Sequence, residues 1–136
     1  MTSDKRIENE IAHGKYLSEE GAGDIWNWTS PAGILRFKRR VKMLSGDLPD
    51  NAVVLELGCG TGLFTREFVK QAIQLTAIDI SPELLTEAEN EIVADNVNFM
   101  VDNAYAMSFT DDSFDAVIGS SVLHHLDIEK ALSEIY

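Results

Sequence analysis

A chain of 136 residues with 45% hydrophobic content has room for one domain of ordinary size and can bury a core, which excludes a fully disordered chain. With 9 Gly and 3 Pro it is neither collagen-like nor low-complexity. No apolar run approaches the ~18–20 residues of a membrane span, and the opening MTSDKRIENE lacks the apolar stretch of a signal peptide. The single cysteine cannot close an internal disulfide, so a reducing cytoplasm is the expected location. The net charge of -12 is unevenly placed: residues 1–50 hold 8 acids and 8 bases, residues 51–136 hold 15 acids and 3 bases. An acidic domain repels polyanions, so neither nucleic acid nor a membrane is expected as a partner.

In chain order, residues 5–20 place Ile7, Ile11 and Tyr16 at roughly helical spacing, a weak amphipathic helix. Gly21–Asp24 reads as a joint, and Ile25–Thr29 holds both tryptophans, Trp26 and Trp28. Ser30-Pro31 is an N-cap followed by a first helical residue, opening a helix over 31–45 with Ile34, Leu35, Val41 and Leu44 as its apolar side and Gly46 as its stop. The period then changes. Residues 52–57 are a short, nearly continuous apolar run suited to a strand buried on both faces. Glycine turn 58–62, a helix over 63–71 and a second strand at 73–79 follow. Ser81-Pro82-Glu83 opens a helix running to about Ala94, residues 97–101 and 114–120 are third and fourth strands, and Asp127 caps a last helix over 128–136.

Strands alternating with helices imply a mostly parallel, open, doubly wound Rossmann-like α/β sheet over residues 51–136. Ligands of such sheets bind beyond the carboxyl ends of the strands. Glu56-Leu57-Gly58-Cys59-Gly60-Thr61-Gly62 leaves the first strand there, and glycines let the chain turn tightly and let a ligand approach the backbone. Asp79 closes the second strand, where a carboxylate can accept from two ribose hydroxyls. Dinucleotide dehydrogenases want a small residue at position 63, and Leu63 stands there. Glu56 ahead of the loop would also oppose a pyrophosphate. Two acids flanking a glycine loop suit a nucleoside with a cationic tail.

Val54–Gly62 resembles the first motif of class I S-adenosylmethionine (SAM) dependent methyltransferases, and Ala77–Ser81, Asn96–Ala104 and Phe114–Leu126 resemble their later motifs, in order. The resemblance covers about residues 50–136. It implies that Gly58, Cys59, Gly60 and Gly62 hold the methionine part of SAM through the backbone, with Glu56 near its amino group. Glu56 as a helix cap is the alternative. Asp79 would take the ribose hydroxyls and Ile80 lie against the adenine. Cys59 has no basic neighbour in sequence to lower its pKa and is expected to be inert. The third motif departs from the family's Asp-Ala-x-x-Leu-Pro-Phe. A gapless alignment puts Asn103, followed by Ala104, at the adenine-binding position, with Asp102 as the alternative, and Ser108 where Pro is usual, without an expected consequence. Ser120 and the residues after it fall where the family lines the methyl-transfer site. His124 and His125 are candidates for a general base if the acceptor needs one, or one packs structurally and the other is exposed. No metal site is expected, since adjacent histidines on a helix cannot both face one cavity.

Residues 1–50 resemble the helical cap that many of these enzymes fold over the SAM pocket, in which Tyr16, Trp26 and Trp28 would wall the substrate site or pack between cap and core. Arg36, Lys38, Arg39, Arg40 and Lys42 read as a solvated face, or one resting on the acidic core, ahead of an anion-binding role. The Pro-Pro-aromatic motif of DNA amino-methylating enzymes is missing after the fourth strand, as is the glutamate pair of protein-arginine enzymes, and Leu123–Leu126 is similar to small-molecule methyltransferases. The resemblance thus implies methyl transfer from SAM to a small molecule, leaving S-adenosylhomocysteine. The family's sheet has seven strands and this sequence supplies four, a fold truncated after strand four. The alternative is therefore a SAM-binding fragment without turnover, whose fourth strand offers an apolar edge to a second copy.

Overall fold

The computed structural model describes residues 29–120 and 127–135, together with positions 5, 8, 9 and 11, which are helical. Tyr16, Trp26, Trp28, His124 and His125 lie outside the described residues.

Helix α1 spans Pro31–Ser45. The Ser30 hydroxyl accepts from the Gly33 amide at 3.0 Å and Pro31 occupies the first turn, as read from the sequence. Its stop is Gly46, as read from the sequence, which keeps a right-handed φ of -64° and donates to Lys42 O. A Cβ there would lie 2.5 Å from that carbonyl oxygen, so close approach is what calls for glycine. The apolar side is rotated from the expected one. Phe37, Val41 and Leu44 pack on the core, whereas Leu35 is 68% exposed, because at ~100° per residue it falls nearly opposite the Phe37–Leu44 stripe.

Strands β1 (Val53–Leu57), β2 (Gln74–Asp79), β3 (Val97–Val101) and β4 (Ala116–Gly119) form one sheet in the order β3-β2-β1-β4, every pair parallel. Between them lie α2 (Thr65–Phe68) and α3 (Pro82–Glu91), and α4 (Ile128–Ile135) follows β4. Helix α2 is shorter than the 63–71 expected. The Glu67, Lys70 and Gln71 amides bond to carbonyls three residues back, so the segment tightens around a single α-helical turn.

Side-chain alternation along β1 divides the core. Val54 joins Phe64, Phe68, Ile73, Leu75 and Ile118 under α1, while Leu55 and Leu57 turn to the other face with Ile78, against Phe109, Phe114 and Ile135. Phe37 and Phe64 rings lie 4.7 Å apart across the α1 contact. Helix α3 covers β2 and β3 through Leu85, which packs with Ala77, Val97 and Phe99, while Leu84 packs on Leu63. Among the described residues β4 pairs only with β1, leaving its other edge without a strand.

Candidate functional site

The register fixes where the strands end. Leu57 pairs with Ile78 and with Gly119, and Asp79 with Val101. The next residues, Gly58, Asp79, Asp102 and Ser120, therefore stand side by side at the carboxyl edge of the sheet. Parallel pairing alone brings these sequence-predicted positions together.

Gly58, Gly60 and Gly62 have φ of 64°, 58° and 85°, a left-handed path that glycine adopts without strain. At Gly62 a Cβ would also meet Ile92 Cδ1 at 2.5 Å. The loop is pinned to β2 by the Cys59 amide, which donates to Ile78 O at 3.0 Å.

Asp79 holds that loop as well. Its Oδ2 accepts from the Gly60 amide at 3.0 Å and its Oδ1 from the Ser81 amide at 2.9 Å. A carboxylate has about four lone-pair sites, so acceptor capacity remains for a ribose diol. Burial raises the Asp79 pKa, and the amides of Ser81, Gly60 and Ile80 oppose the rise. Ser81 also caps α3, accepting from the Leu84 amide. Ile80 and Ala104 are half-buried beside these ends.

Glu56 points to the α2 side of the sheet and is buried. Its Oε2 accepts from the Thr65 hydroxyl at 2.6 Å, at the first residue of α2. Burial pushes its pKa up to about 7, the Thr65 hydrogen bond lowers it and the Asp79 charge raises it further. Sequence reasoning missed Thr65, which is fully buried; a polar residue amid the apolar spacing of 63–69 was its signal. Cys59 is a buried free thiol whose pKa is driven well up by burial and by the charges of Glu56 and Asp79, an inert environment as expected.

Beyond β3, the Asp102 carboxylate is committed within its own loop. Its Oδ1 accepts from the Asn103 amide at 2.8 Å, and its Oδ2 from the Ser108 amide and hydroxyl at 3.1 and 2.8 Å. Ser108 therefore has a consequence, contrary to expectation, since a proline there could donate neither bond. The Asn103 side chain accepts one bond, from the Tyr105 amide at 2.9 Å, and keeps its NH₂ donors and a second lone pair. Beyond β4, the Ser120 hydroxyl accepts from Arg40 Nη1 at 3.3 Å. One member of the α1 basic run thus touches the core, while Arg36, Lys38, Arg39 and Lys42 are exposed. No cluster of three metal-ligating side chains exists among the described residues.

A parallel α/β sheet with a glycine loop after its first strand and a carboxylate closing its second defines a Rossmann-like nucleoside-binding domain. The chain belongs to the methyltransferase-domain family, which it matches over residues 55–136. SAM is the cofactor that goes with this family, and the loop, Asp79 and Asn103 have the donors and acceptors to fit it. A ubiquinone/menaquinone biosynthesis C-methyltransferase of Hydrogenovibrio crunogenus is 34% identical over 98% of this chain and 57% of its own length, so the chain spans little more than half of that relative. Phosphoethanolamine N-methyltransferase 1 of Haemonchus contortus, solved with phosphoethanolamine and S-adenosylhomocysteine, shares the fold with a TM-score of 0.77 at 16% identity, over 99% of this chain and 29% of its own. Phosphoethanolamine N-methyltransferase 2 of the same organism, solved with SAM, gives a TM-score of 0.67 at 26% identity over 79% of this chain and 26% of its own.

Proposed function

We propose that the chain binds SAM at the carboxyl edge of its sheet and transfers the methyl group to a small-molecule acceptor. The observation that carries this reading is the meeting of the glycine loop, Asp79 and the turn at Asp102–Asn103 at one edge, with Glu56 buried one residue before the end of β1. When bound, SAM supplies an electrophilic methyl on a sulfonium. In this reading Asp79 accepts from the ribose hydroxyls, Asn103 meets the adenine edge with Ile80 and Ala104 beside it, and Gly58, Cys59, Gly60 and Gly62 receive the methionine part along the backbone. Glu56 balances its ammonium group, and Asp102 holds the Asn103 loop in shape.

In-line transfer needs placement and exclusion of water more than a strong base. Where the acceptor must lose a proton, His124 or His125 takes it, titrating near neutrality. A small acceptor is supported by the quinone-pathway relatives and by the Leu123–Leu126 pattern. Titration of S-adenosylhomocysteine into wild-type and Asp79→Ala protein tests the reading: saturable binding that the substitution abolishes supports it, and equal binding overturns the ribose assignment.

A second reading, SAM binding without transfer by these 136 residues on their own, is favoured by the four-stranded sheet and the open β4 edge, to which a second copy could add a strand. Transfer of labelled methyl from SAM to any member of a metabolite panel would exclude it.

A further inference from the structure

The side of α1 turned away from the sheet combines exposed bases with exposed apolar side chains. Phe37, Val41 and Leu44 face the core and Arg40 reaches Ser120. On the opposite side Leu35, Arg39, Lys42 and Met43 share one stripe at helical spacing, with Arg36 and Lys38 on its flanks. Leu35 is 68% and Met43 77% exposed, and Ile34 at the margin is 44% exposed. Every charged residue between positions 31 and 45 is a base, five in all, in a chain of net charge -12.

A partner for this face must be negative and must also accept apolar tips. An anionic lipid surface does both: its headgroups sit level with the ammonium and guanidinium groups, and its acyl boundary lies within reach of Leu35 and Met43. We propose that the outward face of α1 docks this protein onto an anionic lipid surface. The net charge averages over this face. The surplus acids all belong to residues 51–136, outside α1. Acidic patches on a second copy offer the charge without the acyl layer, and pairing a basic helix with an acidic patch elsewhere is head-to-tail, which leaves an open chain unless the rotation closes.

Co-sedimentation with phosphatidylcholine vesicles, with and without phosphatidylglycerol, tests the docking independently of any SAM binding. The protein should pellet with the anionic vesicles at roughly 50 mM salt and be released at about 0.5 M, and it should stay in solution with phosphatidylcholine alone. Arg39→Gln with Lys42→Gln should weaken binding about tenfold or more, and Leu35→Ser with Met43→Ser should weaken it at unchanged charge. These are exposed positions, and unaltered circular dichroism confirms that the variants fold. Wild-type protein left in solution with anionic vesicles at low salt overturns the docking, as do variants that bind like wild type. Concentration-dependent self-association without vesicles, abolished by the same substitutions, overturns it in favour of a contact between copies.

Discussion

The two acids at the strand ends are held differently and make separate predictions. Asp79 is fixed by two backbone amides. Losing two charge-assisted bonds to a ribose should lower S-adenosylhomocysteine affinity by at least about 100-fold in Asp79→Ala. His125→Ala should leave that affinity nearly unchanged, since the proposed base has no part in holding the cofactor; calorimetry reads both. Glu56 predicts a pH dependence. Its folded pKa of about 7 lies above the ordinary carboxyl value of 4.5, so in that window the folded protein keeps a proton the unfolded chain has released. Its contribution to stability is full below about pH 4.5 and is lost as pH rises through about 7. A ligand ammonium beside it favours the ionised form. S-adenosylhomocysteine should therefore bind up to about tenfold more tightly at pH 8 than at pH 6, whereas methylthioadenosine, which lacks the amino-acid end, should bind equally at both. Glu56→Gln should flatten the difference; a flat wild-type profile would contradict the placement of Glu56 at that end.

At the scale of elements, the loop between β1 and α2 and the connection into β2 are the places where single substitutions should cost most. Gly62→Ala forces a Cβ onto a left-handed residue against Ile92, and a loss of about 1–3 kcal/mol is expected in urea unfolding. Asn96 donates through Nδ2 to the carbonyls of Val69, Gln71 and Ile73, at 3.0, 3.3 and 3.1 Å. Asn96→Ala should cost about 1–3 kcal/mol yet leave S-adenosylhomocysteine affinity intact, because these carbonyls lie at the opposite edge of the sheet from Asp79. Caps and apolar runs made most elements legible: the bounds of α1 and β3 match those read from the sequence, and the other strands are only trimmed at their ends. What was not legible depends on neighbours distant in sequence. Leu35 reads as core until packing against Phe64 decides which stripe of α1 turns inward. Ser108 reads as a neutral departure until the chain folds back to put it on Asp102.

At the scale of the whole molecule, the glycine loop and Asp79 were readable because a parallel sheet sends every strand end to one edge, so local motifs come together through topology alone. Thr65 and Arg40 were not, since their roles rest on which helix covers which face. Part of the charge division seen in the sequence has a place in the fold: four of the five bases of α1 are exposed, and Asp79 and Asp102 stand at the strand ends. The central claim is that the strand-end edge binds the SAM scaffold, and titration calorimetry of the folded chain with S-adenosylhomocysteine tests it most directly. A saturable one-to-one isotherm, lost in Asp79→Ala, is the predicted result. No heat from well-folded wild-type protein, together with saturable binding of a nicotinamide dinucleotide, would contradict it.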